Sequence, residues 1–505
     1  MAMLPIKIPP GVVRGASPND TPGRWYDTNL VRWRGSVMEP IPGWQRASES
    51  AFSAEVRRIH RYRNNSAKLR QLVFTDTEVR AYSGSNGWVD VSPASLVALS
   101  AGAGLPVGYG IGLYGDSTYG TARAVGSQLY GAVVPMWSAD NWGEDVLAVN
   151  SSDGRLCLYD DSAPEAAMTV VSGAPVNNRA VIVTEERHAL LLQEGGNARR
   201  IAWCSREDYT DWNYASTTNT AGFLDLEAET PLYTAAKVRN GTLVFSESEV
   251  FHVRYVGQPF IYGANFLEST RIIGPRAVAA DSGVAFWWSK DGFFKSDGSQ
   301  VQPIPCPIWD YLCVVRCTQR APSKMFASSH GIYPEIWWFY PSKDSDVADK
   351  YVVYNYIEDW WAIGELSREA MCPALADQKP LMAGADHYLY QHETGWSDTS
   401  GSPRDGDVYA ETSVINIPIG GERNFEIRQA MAANEYGTDS LRMTFFTKQT
   451  PMGSERTFGP YSPRADGYVD TRVTGRDVRL KVEALGDSDW NLGEIRLDVA
   501  AGARR

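Results

Sequence analysis

Apolar residues in this chain come in short runs of three to six, separated by turn signals, and rarely at the 3.6-residue spacing of a helix. Leu72–Phe74 and Glu78–Tyr82 flank Thr75-Asp-Thr77. Val146–Val149 and Arg155–Tyr159 flank Ser151-Ser-Asp-Gly154, whose Asp-Gly is a strong turn signal. Ala180–Thr184 and Ala189–Leu192 flank Glu185–His188. Thr242–Phe245 and Val250–Arg254 flank Ser246–Glu249. Val284–Trp288 and Phe293–Lys295 flank Ser289–Gly292. Glu335–Tyr340 is followed by Lys350–Tyr354, and Leu381–Gly384 by His387–Tyr390. One hairpin type therefore recurs about seven times between residues 60 and 395.

A small all-β unit repeating every 40–50 residues or so predicts a β-propeller. A single twisted sheet cannot bury both of its faces, and radial packing of several sheets supplies the missing contacts. The repeats carry neither a Gly-His…Trp-Asp pair nor a kelch double glycine. The expected fold is all-β: an irregular propeller of six or seven blades over residues 46–404, with stacked β-sandwiches as the competing arrangement. Trp287-Trp288, Trp337-Trp338 and Trp360-Trp361 each put one ring on either face of a strand, which suits sheets buried on both sides.

The pattern changes after residue 404. Phe425 and Ile427 alternate with Glu426 and Arg428. Val478, Leu480 and Val482 alternate with Arg479, Lys481 and Glu483, and Ile495, Leu497 and Val499 with Glu494, Arg496 and Asp498. Clean period-2 alternation gives strands with one apolar and one wet face. Residues 405–505 are therefore expected to form a β-sandwich platform, with residues 1–45 as an arm packing on it.

Composition narrows the function classes. A chain of 505 residues exceeds one simple core, and 43% hydrophobic with 21% charged residues is globular. The net charge of -12 argues against a protein that grips nucleic-acid phosphates, though not against one that surrounds DNA without holding it. Cys157, Cys204, Cys306, Cys313, Cys317 and Cys372 show no Cys-x-x-Cys spacing, and read as reduced thiols of a protein assembled in cytoplasm. No apolar run has the length of a membrane span, and the N-terminus lacks a signal-peptide core.

No catalytic, cofactor-binding or metal constellation stands out. His387 and His392, five apart on a strand, face opposite sides and do not suit one shared metal. Ser151–Gly154 and Ser289–Gly292 imitate half of a sialidase Asp-box, but read better as hairpin turns, because Asp and Gly tolerate positive φ. Asp208-Tyr-Thr-Asp-Trp212 has the residue types of a sugar site and is read instead as an aromatic plug between blades. The chain is expected not to be an enzyme. A glycan-binding or glycan-hydrolysing propeller is the alternative, since a glycosidase needs two suitably spaced carboxylates among 60 acidic residues.

The insertion at 102–135 has a different character. Tyr109, Tyr114 and Tyr119 are each followed by a glycine, and Tyr130 lies further on. Glycines cost backbone entropy and pack nothing, whereas tyrosines offer wide, half-polar faces to a partner. Trp137-Ser-Ala-Asp-Asn-Trp142-Gly-Glu144 follows, and together with these tyrosines Trp137 and Trp142 are candidate interaction residues. This stretch resembles the tail-nozzle and packaged-DNA-stabilisation proteins of short-tailed bacteriophages. Gly23–Gly35 and Pro42-Gly-Trp44 resemble their amino-terminal end, and Arg456–Tyr461 and Trp490–Val499 their carboxyl-terminal end.

The resemblance implies a virion structural protein of the tail, assembled in the host cytoplasm. It implies a hexameric ring below the head-to-tail connector, in contact with adaptor proteins and with tail fibres or spikes. Genomic double-stranded DNA would pass through the lumen without sequence-specific binding, and no cofactor or membrane insertion is implied. An acidic lumen suits that role, because it repels phosphate and lets DNA slide.

Overall fold

The structure is a computed structural model. It describes residues 3–84, 86–99, 134–312, 324–343, 345, 347–399, 401–415, 417, 424–434, 441–450, 453–486 and 489–501. Five short strands come first: β1 (Leu4–Ile6), β2 (Trp25–Asn29), β3 (Val31–Arg34), β4 (Val37–Pro40) and β5 (Trp44–Arg46). Blade 1 is β6 (Val56–Arg63), β7 (Leu69–Thr75), β8 (Val79–Tyr82) and β9 (Trp88–Asp90). Blade 2 is β10 (Trp137–Trp142), β11 (Asp145–Asn150), β12 (Leu156–Tyr159) and β13 (Thr169–Val170). Blade 3 is β14 (Ala180–Val183), β15 (Ala189–Leu192), β16 (Arg200–Trp203) and β17 (Gly222–Asp225). Blade 4 is β18 (Leu232–Val238), β19 (Gly241–Ser246), β20 (Val250–Gly257) and β21 (Ile261–Glu268).

Blade 5 is β22 (Val278–Asp281), β23 (Val284–Ser289), β24 (Gly292–Ser296) and β25 (Val301–Ile304). Blade 6 is β26 (Phe326–Ser329), β27 (Glu335–Tyr340), β28 (Lys350–Asn355) and β29 (Trp360–Glu365). Blade 7 joins β30 (Arg368–Cys372), β31 (Leu381–Gly384) and β32 (Leu389–His392) to β5 from the N-terminal segment. Seven antiparallel four-stranded sheets thus form the expected propeller. The first strand of each blade contacts that of the next, and β30 returns to β6 to close the ring. All seven hairpins read from the sequence are present, one per blade.

Radial packing explains the tryptophan pairs. Trp287 and Trp288 are neighbours on β23, so their rings leave opposite faces of the sheet. Trp287 meets Phe245 of blade 4 at 5.2 Å between ring centroids, and Trp288 meets Tyr340 of blade 6 at 5.4 Å. Trp337, Trp338, Trp360 and Trp361 are likewise buried. Large rings filling both seams of blades 5 and 6 join blades 4 to 6 and the platform in one apolar cluster, while the other seams hold clusters of their own.

The platform follows from β33 (Tyr409–Thr412), β34 (Phe425–Asn434), β35 (Leu441–Lys448), β36 (Arg456–Tyr461), β37 (Tyr468–Gly475), β38 (Asp477–Ala484) and β39 (Leu492–Ala501). One sheet runs β3-β4-β39-β34-β37 with β1 on β39, and the other β2-β33-β38-β35-β36. Val478, Leu480 and Val482 are fully buried, as their alternation predicts. Along β34 the alternation slips at a bulge between Ile427 and Gln429, so the next inward residue after Ile427 is Ala430.

Two boundaries differ from the sequence expectation. Residues 1–45 do not simply pack on a sandwich made by 405–505: β1 to β4 are strands within its two sheets. β5 belongs to the propeller, pairing with β32 at His392↔Trp44. The reason is edge satisfaction. Blade 7 has only three strands of its own, and the N-terminal segment covers its open edge. Platform and propeller share one apolar cluster, in which Trp33 of β3 meets Trp360 of blade 6 at 5.4 Å. Thr28 Oγ1 donates to the Ile363 carbonyl at 2.8 Å, and the Leu30 amide to Tyr351 Oη at 2.8 Å.

Candidate functional site: the propeller axis and the platform joint

The first strands of the blades enclose a cavity of about 420 Å³ on the propeller axis. Its walls are unequal. Blades 4 to 7 contribute small side chains, among them Ala235, Ala236, Ala279, Ala327 and Ala370. Blade 1 contributes Arg57, Arg58 and Arg61 of β6, and Arg276 adds a fourth arginine from the approach to blade 5.

These cations are balanced unevenly. Arg57 is paired with Asp76 at 2.6 Å and Glu55 at 2.8 Å, and Lys237 with Asp140 at 2.7 Å. Arg58 donates to the Ala139 carbonyl at 2.8 Å, Arg276 to the Glu369 carbonyl at 2.8 Å, and Arg61 to the Pro373 and Lys379 carbonyls. Among the described residues none of these three meets a carboxylate within ion-pair distance. Burial lowers the pKa of Arg58, and it lowers that of Arg276 to about 10, with the neighbouring Arg57 and Arg58 adding to the effect. The Glu369 carboxylate is occupied elsewhere, accepting from the Val56 amide at 2.9 Å and lying 2.9 Å from His387 Nδ1. His60 bonds Asn141 Oδ1 at 2.8 Å, and burial, helped by Arg58, holds its pKa down at about 4.

A second polar cluster lies where platform meets propeller. Arg32 of β3 reaches Glu335 of blade 6, with Nε 3.2 Å from Oε1, and Glu393 just after blade 7. His330 Nε2 lies 3.0 Å from Glu393 Oε1, and the Tyr333 ring sits 3.9 Å from the guanidinium. Nearby, Arg368 Nε donates to His392 Nε2 at 3.1 Å, and His392 stacks on Trp44 at 5.3 Å. His392 is on β32, whereas His387 lies in the turn before it at φ 63° and not on a strand as the sequence suggested, and the two have separate partners.

The residues singled out in the sequence fare differently. Tyr109, Tyr114, Tyr119 and Tyr130 lie outside the described residues. Trp137 and Trp142 are interior residues and not surface contacts, because each fills a seam between blades. Trp137 packs on Phe74 of blade 1 at 5.0 Å and donates to the Thr75 carbonyl at 2.9 Å. Trp142 of blade 2 meets Tyr209 of the 208–212 loop at 5.6 Å, edge to face. That loop is therefore an aromatic plug between two blades, as expected, and the structure places it between blades 2 and 3. Asp208 accepts from the amide and hydroxyl of Thr210 at 2.9 and 2.6 Å, and Trp212 Nε1 donates to the Tyr209 carbonyl at 2.7 Å. Ser151–Gly154 and Ser289–Gly292 are hairpin turns, with Gly154 at φ 70°.

Cys157, Cys204 and Cys372 are buried free thiols and Cys306 is half-buried, and burial pushes Cys157 and Cys204 up to about 12. Cys313 and Cys317 lie outside the described residues. Among the described residues no three His, Cys, Asp or Glu side chains group as metal ligands, and no helix is long and apolar enough to cross a membrane. The arginine wall of the axis was missed at the sequence level. Its signal was the density of arginine on one strand, Arg57, Arg58, Arg61 and Arg63, in a chain of net negative charge.

Fold and site together define an all-β propeller of seven blades joined to a two-sheet platform. No family model and no curated protein matches the chain. Among solved structures it is similar to virginiamycin B lyase from Staphylococcus aureus, at 8% identity over 69% of this chain and 98% of that one, with a TM-score of 0.39. It is similar to the Pan2 WD40 domain of Neurospora crassa at 7% identity over 69% and 94%, with a TM-score of 0.39. It is also similar to PorZ of Porphyromonas gingivalis at 9% identity over 83% and 48%, with a TM-score of 0.37. Likeness at this level carries no argument about activity.

Proposed function

We propose that the chain is a virion structural protein without catalytic activity: a tail nozzle that forms a ring, hexameric by resemblance, below the head-to-tail connector. In this role it extends the DNA exit channel, retains the packaged genome and helps attach tail fibres or spikes. The observation that carries the reading is where the resembling segments lie. Gly23–Gly35 supplies β2 and β3, Arg456–Tyr461 is β36, and Trp490–Val499 runs through most of β39. Segments more than 400 residues apart in sequence come together in one platform. They behave as one structural unit and not as scattered short matches.

Two physical points support the reading. The net charge of -12 suits a surface past which DNA slides. The axial cavity has the volume of a cube about 7.5 Å on a side, smaller than the ~12 Å width of a duplex major groove alone. Duplex DNA in this reading therefore runs through the hole of the ring, not through the propeller axis.

Light scattering on the purified chain, alone and with its adaptor, followed by negative-stain imaging, tests the reading. A closed ring is the expected result. A monomer that persists with the adaptor and hydrolyses a glycan would favour the glycan-directed propeller instead.

A further inference from the structure

The propeller axis has a chemistry that neither a scaffold nor a DNA conduit requires. The cavity wall mixes alanines, which leave space, with arginines from blade 1 and from the approach to blade 5, which carry charge. Arg58, Arg61 and Arg276 bring three positive charges, and no carboxylate among the described residues pairs with them directly. A guanidinium has five N–H donors. Among the described residues Arg58 and Arg276 each make one hydrogen bond, to a backbone carbonyl. Arg276 also lies against the Phe326 ring at 5.1 Å, which helps to fix its plane. Like charges gathered in a partly desolvated space are costly unless something of opposite sign joins them.

We infer that the axial cavity is a binding site for a small phosphate-bearing molecule, held by Arg58 and Arg276 with its remainder against the alanines. Phosphate fits the site better than a single carboxylate does. It carries up to two negative charges and offers oxygens on several sides, so two guanidinium forks from different blades can engage it together. Arg57 and Lys237 already have carboxylate partners and contribute field more than contacts. Arg58 leaves the wall from blade 1 and Arg276 from the approach to blade 5, so a ligand held by both would bridge non-adjacent blades and stiffen the ring. The inference does not depend on the nozzle reading, since a free monomer contains the whole site.

Thermal unfolding of the full-length protein tests it, with inorganic phosphate titrated against sodium chloride of matched ionic strength and against citrate. Phosphate should raise the melting temperature saturably, by about 3 °C or more beyond the chloride control. Arg58→Gln and Arg276→Gln should each weaken the phosphate-induced shift about tenfold, measured from each variant's own ligand-free melting temperature. Arg58→Lys, which keeps the charge and loses the fork, should also weaken it. Ribose 5-phosphate binding more tightly than inorganic phosphate would assign the site to an organic phosphate, and equal binding would assign it to the free ion. Phosphorus NMR line broadening with the unmutated protein reads binding without any variant. A phosphate response no larger than chloride's, a response to citrate alone, no line broadening, or a full phosphate response in the Arg58→Gln/Arg276→Gln double variant overturns the inference.

Discussion

Arg32 Nη2 lies 2.7 Å from Glu393 Oε1, and this pair ties the platform to the end of the seventh blade. Both side chains are buried, as is Glu335, which the same guanidinium also meets. Burial alone would raise the Glu393 pKa. The Arg32 charge and the His330 hydrogen bond outweigh it and hold the carboxyl down at about 2. Arg32→Ala should therefore destabilise the protein by about 3–5 kcal/mol, because it strands two carboxylates in the interior. Arg32→Met combined with Glu335→Leu and Glu393→Leu should recover most of that loss. Urea unfolding of the unmutated protein and these two variants checks both expectations. A loss below about 1 kcal/mol for Arg32→Ala would mean that water reaches the joint.

Buried histidines set the acid sensitivity. Burial holds His60 and His188 down at about 4, and His392 well below its ordinary value. An unfolded histidine takes up its proton near pH 6.5. Between 6.5 and about 4 the unfolded state therefore binds more protons than the folded one, and stability falls as pH falls. The slope is at most about 1.4 kcal/mol per pH unit for each histidine. Above pH 6.5 the rings are neutral in both states and contribute no slope. Glu393 adds a further loss from about pH 4.5 down to 2, as its depressed carboxyl is protonated. Melting temperature against pH should fall through the first window, and His60→Gln should flatten the curve there.

The N-terminal segment closes the propeller, so its removal should be felt far beyond the platform. Trp44 of β5 stacks on His392, lies near the Arg368 and Arg404 guanidiniums, and donates to Thr399 Oγ1 at 2.8 Å. Deleting residues 1–46 would expose the β32 edge and remove four platform strands. The truncated chain should lose cooperative unfolding and become protease-sensitive in blade 7. A milder probe is Gly43→Ala. A methyl there would collide with the Ser397 carbonyl oxygen, so the 394–397 loop must move. A loss of about 1–3 kcal/mol by denaturant unfolding is expected.

Strands that bury both faces were the legible ones. Ala189–Leu192 and Glu335–Tyr340 are apolar enough to stand out, and every residue in them is buried. The axial strands β18, β22 and β26 were harder to read. They face a cavity on one side, so small and polar residues such as Ala235, Lys237 and Ser328 interrupt the apolar pattern. The N-terminal strands were illegible for another reason. Leu4–Ile6 and Trp44–Arg46 are three residues long, and their pairing partners, Ile495–Leu497 and Tyr390–His392, lie hundreds of positions away. Trp137 and Trp142 misled because glycines and acids border them. Only the blade seam, a relationship between residues distant in sequence, makes them interior. The arginine wall depends likewise on blade 1 and Arg276 meeting across the axis.

The Gly-Tyr insertion separates the structural reading from the functional one. Residues 100–133 lie between β9 of blade 1 and β10 of blade 2, outside the described residues. The seam between those blades is closed by described residues: Trp137 on Phe74, with its indole nitrogen on the Thr75 carbonyl. Trp137→Ala should therefore destabilise the isolated chain by about 3–5 kcal/mol, as large core truncations do. Deleting residues 106–126 should leave its melting temperature nearly unchanged, since the glycines there supply no side chains to the core. In assembled particles the outcome should reverse in importance. If the tyrosines meet neighbouring subunits or tail appendages, the deletion impairs ring closure, tail attachment or genome retention, read by particle imaging and by nuclease-accessible DNA. Particles that carry the deletion yet assemble, hold their DNA and infect normally would remove Tyr109, Tyr114, Tyr119 and Tyr130 from the interaction surface.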